Sequence, residues 1–86
     1  MPARVLIVDD EPNITLSFSS LLRDDGYEAL TAASAENART MLARAPVDLI
    51  LLDIQLPGMS GLDLLRELKA ENNPAEVLVI SGQADI

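Results

Sequence analysis

Residues 48–53, Asp48-Leu49-Ile50-Leu51-Leu52-Asp53, set four consecutive aliphatic side chains between two acids. A strand wetted on one face alternates apolar and polar residues. An unbroken aliphatic run is buried on both faces, as in the centre of a parallel sheet. Parallel strands need crossover connections, usually helices, and the rest of the chain supplies them. Residues 5–8 form a short apolar, β-branched run that ends at Asp9-Asp10. Pro12 then stands where the first turn of a helix tolerates it, with acids beside the positive end of the helix dipole. Ile14, Phe18, Leu21 and Leu22 recur at helical spacing, and Gly26 closes that element. Residues 27–31 read as a second strand. Ser34 is a good N-cap for a second helix that carries Ala35, Ala38, Met41 and Leu42 on one face and stops at Pro46. Leu56-Pro57-Gly58-Met59-Ser60-Gly61 is a loop, and Ser60 with Asp63 resembles a capping box in which Asp replaces Glu or Gln. Leu62, Leu65 and Leu68, with Leu64 alongside, line a third helix that Asn72-Asn73-Pro74 breaks. Residues 76–80 form a fourth strand ending at Ser81-Gly82. The order β-α-β-α-β-α-β predicts an α/β fold, a parallel sheet with right-handed crossovers and helices on both faces.

Eighty-six residues make one domain, 1–86, with a modest core and no visible linker or repeat. With 49% apolar residues the chain is no disordered tail, and with Phe18 and Tyr27 as its only aromatics the core is aliphatic. Cys and His are absent, which excludes disulfide scaffolds, Cys/His zinc sites, thiol chemistry and any Ser-His-Asp triad. The net charge of -8 lacks the basic footprint of a free-standing nucleic-acid binder. The apolar stretch after Met1-Pro2-Ala3-Arg4 is too short for a signal-peptide core, and no run approaches a membrane span. A soluble, cytoplasmic chain is expected.

The acidity reads either as general solubility or as a cation site, and the order of the acids decides between them. Ligands of an open parallel sheet bind beyond the carboxyl ends of its strands. There the first strand delivers Asp9 and Asp10, the third Asp53 and the fourth Ser81. A single Asp at a strand end is ordinarily a cap or a solvated turn, Asp-Asp before Pro a helix start, and Ser before Gly a turn. Their coincidence on successive strand ends is another matter. Clustered carboxylates repel unless a cation joins them. Oxygen-only ligands suit a hard cation, and Mg²⁺ commonly binds through one or two carboxylates with water and phosphate oxygens. A carboxylate beside Mg²⁺ can attack phosphorus and form an aspartyl phosphate.

Val8-Asp9-Asp10-Glu11, the strand ending in Asp53, Leu56-Pro57-Gly58-Met59-Ser60-Gly61 and Val79-Ile80-Ser81-Gly82 together resemble the receiver domains of two-component response regulators, over essentially the whole chain. The resemblance implies a flavodoxin-like (CheY-like) sheet of order 2-1-3-4 for these strands. It implies Asp53 as phosphoacceptor, with a sensor histidine kinase as donor. Asp9 and Asp10 would hold Mg²⁺, together with Asp53 and the backbone carbonyl of Gln55. The Gln55 side chain would face the attacking water, Ser81 would be the switch hydroxyl, the Ile54 amide would help hold the phosphoryl group, and Pro57 and Gly61 would shape the loop. The tail from Ser81 to Ile86 is similar to receivers of the NtrX-like group attached to sigma-54-dependent activators. Such a module catalyses transfer to itself and turns over no diffusible substrate, so it is not expected to act as a conventional enzyme.

A complete receiver has five strands and five helices, whereas this sequence covers four strands and three helices. The lysine and the aromatic switch residue that the family carries beyond the fourth strand are not in it, and Lys69, on the third helix, is no substitute. The fourth strand is then expected to be an aliphatic edge, which invites pairing with another chain. Two further readings follow. One is a structural, self-associating (domain-exchanged) module without a working phospho-switch. The other is a Mg²⁺-dependent phosphatase with an Asp nucleophile, which expects an acid two residues on, where Gln55 stands.

Overall fold

The computed structural model describes residues 2–80. Its elements run β1 (Arg4–Val8), α1 (Pro12–Asp24), β2 (Glu28–Ala32), α2 (Ala35–Arg44), β3 (Leu49–Asp53), α3 (Gly61–Ala70) and β4 (Glu76–Ile80). The four strands form one parallel sheet of order β2-β1-β3-β4, as the resemblance implies. β1 and β3 lie at its centre, and their side chains alternate between two cores. Leu6, Val8, Ile50 and Leu52 pack with Ala35 and Ala38 of α2 and with Leu64 and Leu68 of α3. Val5, Ile7 and Leu51 pack on the opposite face with Leu22 of α1. The helices therefore cover both faces, α2 and α3 on one and α1 on the other.

Local chemistry sets the helix ends. Pro12 opens α1 behind Glu11. The Ser34 hydroxyl accepts from the Asn37 amide at 3.1 Å, and Ser60 accepts from Asp63 at the same distance. Only half of the expected capping box forms at α3, because the Asp63 carboxylate instead takes the Arg66 guanidinium at 3.2 Å. Both α1 and α3 end in the same way. A residue with positive φ (Gly26 at 90°, Asn72 at 56°) lets two amides fold back onto the last turn. Gly26 and Tyr27 donate to the carbonyls of Arg23 and Leu22, and Asn72 and Asn73 donate to those of Lys69 and Leu68.

Three sequence expectations need correction. β2 starts at Glu28 rather than at Tyr27, because the Tyr27 amide is spent on the α1 cap. The α1 stripe does not form a closed core. Ile14, Phe18 and Leu21 are exposed, Leu21 at 64%, whereas Ser19 is 2% exposed and donates its hydroxyl to the Leu16 carbonyl at 3.1 Å. Among the described residues α1 is the only helix on its face of the sheet, so its stripe runs past the cover it can find. On α3 the buried line is Gly61, Leu64 and Leu68, and Leu62 points to solvent.

Candidate functional site

The carboxyl ends of β1 and β3 are adjacent because these strands pair directly, Val8 opposite Leu52. The next residues are Asp9 and Asp53. Carboxylate oxygens of Asp9, Asp10 and Asp53 all lie within 4.8 Å of one another. Asp9 and Asp53 are 6% and 7% exposed, and Asp10 is open to solvent. Each buried acid is held by an amide two residues on. Asp9 Oδ1 accepts from Glu11 at 2.9 Å, and Asp53 Oδ1 accepts from Gln55 at 3.0 Å. These turns fix the carboxylates before any ligand arrives. The Asp9 amide also donates to the Ala32 carbonyl of β2 at 3.1 Å, which ties the strand end to its other neighbour.

Burial first, then the charges of Asp53 and Asp10, push the Asp9 carboxyl above its ordinary range against the pull of the Glu11 amide. This is the electrostatic signature of an acid cluster with too much negative charge for its surroundings. A purely oxygen donor set of this charge fits Mg²⁺ better than a softer ion. Asp9, Glu11, Asn13, Ile14, Phe18, Asp53 and Ile80 line a cleft of about 610 Å³ beside the acids.

The structure brings together Asp9, Asp10 and Asp53, with the Gln55 amide on Asp53. Ser81 and the tail through Ile86 lie outside the described residues. The Ile54 amide is already engaged by the Ile80 carbonyl at 3.3 Å, so the amide facing the Asp53 carboxylate is that of Gln55. Lys69 sits in the last turn of α3 and lines a small cleft with Glu76, at the far end of the sheet from Asp53. At that far end Arg4 is a structural clamp, bonded to Glu28 at 3.0 Å and to the Pro46 carbonyl at 3.1 Å.

Two contacts around the site are not marked by the spacing of the sequence. Gly61 presses on the backbone of Asp53, where an added Cβ would fall on the carbonyl oxygen. Glu36 of α2 accepts a hydrogen bond from the Met59 amide at 3.2 Å. The loop hexapeptide and the helix period flag each region separately, and nothing local links residue 36 to residue 59.

The sequence matches the family model for the response regulator receiver domain over residues 5–86. The transcriptional regulatory protein AruR of Pseudomonas aeruginosa is 42% identical over 99% of this chain and 36% of its own length. The nitrogen assimilation regulatory protein NtrX of Azorhizobium caulinodans is 43% identical over 95% of this chain and 18% of its own length. The chain thus spans about a third or less of these two relatives. Among solved structures, the response regulator TrrA of Thermotoga maritima, in complex with Mg²⁺-BeF, superposes with a TM-score of 0.89 at 35% identity, over 95% of this chain and 71% of that one. A receiver protein from Pseudomonas putida gives 0.91 at 32% identity, over 99% and 72%. The sheet order, the placement of the acids and these matches agree: the chain belongs to the response regulator receiver domain family.

Proposed function

We propose that this chain is a phosphoacceptor module that takes a phosphoryl group on Asp53 from the phosphohistidine of a sensor histidine kinase, with Mg²⁺ held by Asp9, Asp10, Asp53 and the Gln55 carbonyl. The observation that carries this reading is the convergence of the three carboxylates within 4.8 Å at the carboxyl ends of β1 and β3. Asp53 is buried at the centre of the sheet and one of its oxygens is fixed by the Gln55 amide. The other oxygen attacks phosphorus as the donor's P–N bond breaks, leaving an acyl phosphate on Asp53. Bound Mg²⁺ supplies positive charge that offsets the charge of the acids and of the transferring group. Asp9 and Asp10 set the number of negative charges at the site, and the Asp9–Glu11 and Asp53–Gln55 turns hold the carboxylates in place. Ser81, directly after β4 in the sequence, is assigned the switch hydroxyl. No diffusible substrate is turned over, so the module is a switch and not a conventional enzyme.

Phosphorylation adds charge and acceptor oxygens beside β4 and biases the surface there. A transcriptional output in a larger protein is in keeping with the names of AruR and NtrX. A cytoplasmic location goes with a kinase donor, and no helix among the described residues is long and apolar enough to cross a membrane. The segment itself contacts no nucleic acid in this reading. Mg²⁺ with beryllium fluoride, the ligand pair in the TrrA complex, is the test. Together they should raise the melting temperature of the parent and leave Asp53→Asn unmoved; equal shifts in both would refute the assignment of Asp53.

A second reading, self-association, is favoured by β4. Among the described strands it pairs only with β3, and Leu78 is 55% exposed on the α1 side of the sheet. Such an edge offers unpaired amides and carbonyls beside apolar surface. The 86-residue chain is expected to sediment as a dimer or larger species at NMR concentrations. Leu78→Lys, which puts a charge on that edge, is expected to return it toward the monomer. A monomeric parent at those concentrations would rule the second reading out.

A further inference from the structure

The loop of residues 54–60 starts beside the acid cluster and returns to α3. It is closed at its base, where the Gly61 amide donates to the Ile54 carbonyl at 3.1 Å. At its far side the tie comes from another element. The Met59 amide donates to Glu36 Oε2 at 3.2 Å across 23 residues of sequence. Gly58, next to it, has φ of 75° and lies so close that an added Cβ would stand 2.8 Å from the same oxygen. Bonds from its own backbone amide and then from that of Met59 hold the Glu36 carboxyl below its ordinary range, so the acceptor is a carboxylate near neutral pH. A charge-assisted bond of this kind is stronger than one to a neutral acceptor. One turn further along α2, Arg39 bonds Glu67 of α3 at 3.2 Å, so the same helix edge also grips the element that follows the loop.

We infer that Glu36 is a positioning residue for the metal site: by pinning Met59 beside Gly58 it steadies the loop that carries Gln55, whose amide holds Asp53. The inference rests on the proposed Mg²⁺ site. Glu36 touches neither the acids nor the metal. It acts through a loop held otherwise by the Gly61–Ile54 bond at its base, by the Gln55 amide on Asp53 and by Leu56 and Met59 against the core, and without the Glu36 tie the segment from Gln55 to Met59 is held less closely. The Gln55 carbonyl then samples orientations that do not bind, and affinity falls with the bound-like fraction.

The test compares the parent with Glu36→Ala, which removes the acceptor, and Glu36→Gln, which keeps a neutral one. Hydrogen exchange at the Met59 amide reads the tie without metal, and titration of the Gln55 amide shift with Mg²⁺ reads the site. Glu36→Ala should expose Met59 to exchange and weaken Mg²⁺ about tenfold, with the melting temperature nearly unchanged because Glu36 is solvent-exposed. Glu36→Gln should recover most of the Mg²⁺ affinity. Unchanged Mg²⁺ affinity in Glu36→Ala, with or without faster exchange at Met59, overturns the inference while leaving the metal site standing. A lower melting temperature with unchanged affinity does the same. A parent that binds no Mg²⁺ overturns the metal reading and this inference with it.

Discussion

Gly61→Ala is expected to destabilise the chain by about 3 kcal/mol or more, a fall of roughly 12–24 °C in melting temperature for a domain of this size. The reason is position rather than dihedral angle. Gly61 is the first residue of α3 and lies against the end of β3, where a Cβ would meet the Asp53 carbonyl oxygen and, at 3.0 Å, the Ile54 Cα. Both are backbone atoms, at the end of β3 and just beyond it, and cannot rotate aside as a side chain would. Either α3 withdraws, opening the core around Leu64 and Leu68, or the β3 end is pushed out and takes Asp53 with it. Gly26→Ala is the control. Gly26 has φ of 90° but nothing within 4 Å of the added Cβ, so only the left-handed penalty applies, about 1–2 kcal/mol. Thermal melts of the two variants separate crowding from backbone strain. A Gly61→Ala variant as stable as Gly26→Ala would mean that α3 does not approach β3 this closely.

Asp9→Asn is expected to do the opposite, stabilising the metal-free chain by about 1–2 kcal/mol, or roughly 4–16 °C. Asn keeps an oxygen for the Glu11 amide while removing a buried charge that faces Asp53 and Asp10. The pH dependence follows from the raised pKa of Asp9. The folded chain protonates this carboxyl at higher pH than the unfolded chain does. Its charge therefore opposes folding above the folded pKa, and the penalty fades as pH falls through that value toward the ordinary 3.8. The advantage of Asp9→Asn should accordingly be full near neutral pH and shrink on acidification. Mg²⁺ should reverse the ranking, because the ion stabilises only the chain that retains its ligands. Melts at two pH values, with and without Mg²⁺, check all of this. A less stable Asp9→Asn in the absence of metal would mean that the acids do not strain the fold.

The strands that carry the acids were legible because burial on both faces leaves an unmistakable aliphatic run, and Asp53 marks where β3 stops. Ser34 and Ser60 were legible as caps because a cap is a contact over three residues. The apolar ring of Tyr27 suggests a strand, while its amide closes the helix before it. Ser19 lies at the bottom of α1 and the larger apolar residues at its flanks, which helical spacing alone does not order. The Ile54 amide, the pressure of Gly61 on Asp53 and the tie from Glu36 to Met59 all depend on how separate elements meet. Periodicity places elements and does not set their relative depth.

The most direct test of Asp53 as phosphoacceptor is the intact mass of the chain after incubation with acetyl phosphate and Mg²⁺. In that reaction the P–O bond of the donor breaks, acetate leaves, and the phosphoryl group passes to the Asp53 carboxylate. One phosphoryl adduct is expected on the parent, lost when Mg²⁺ is chelated and absent from Asp53→Asn. A folded parent that binds Mg²⁺ yet gains no adduct, or an adduct that persists in Asp53→Asn, would contradict the assignment of Asp53.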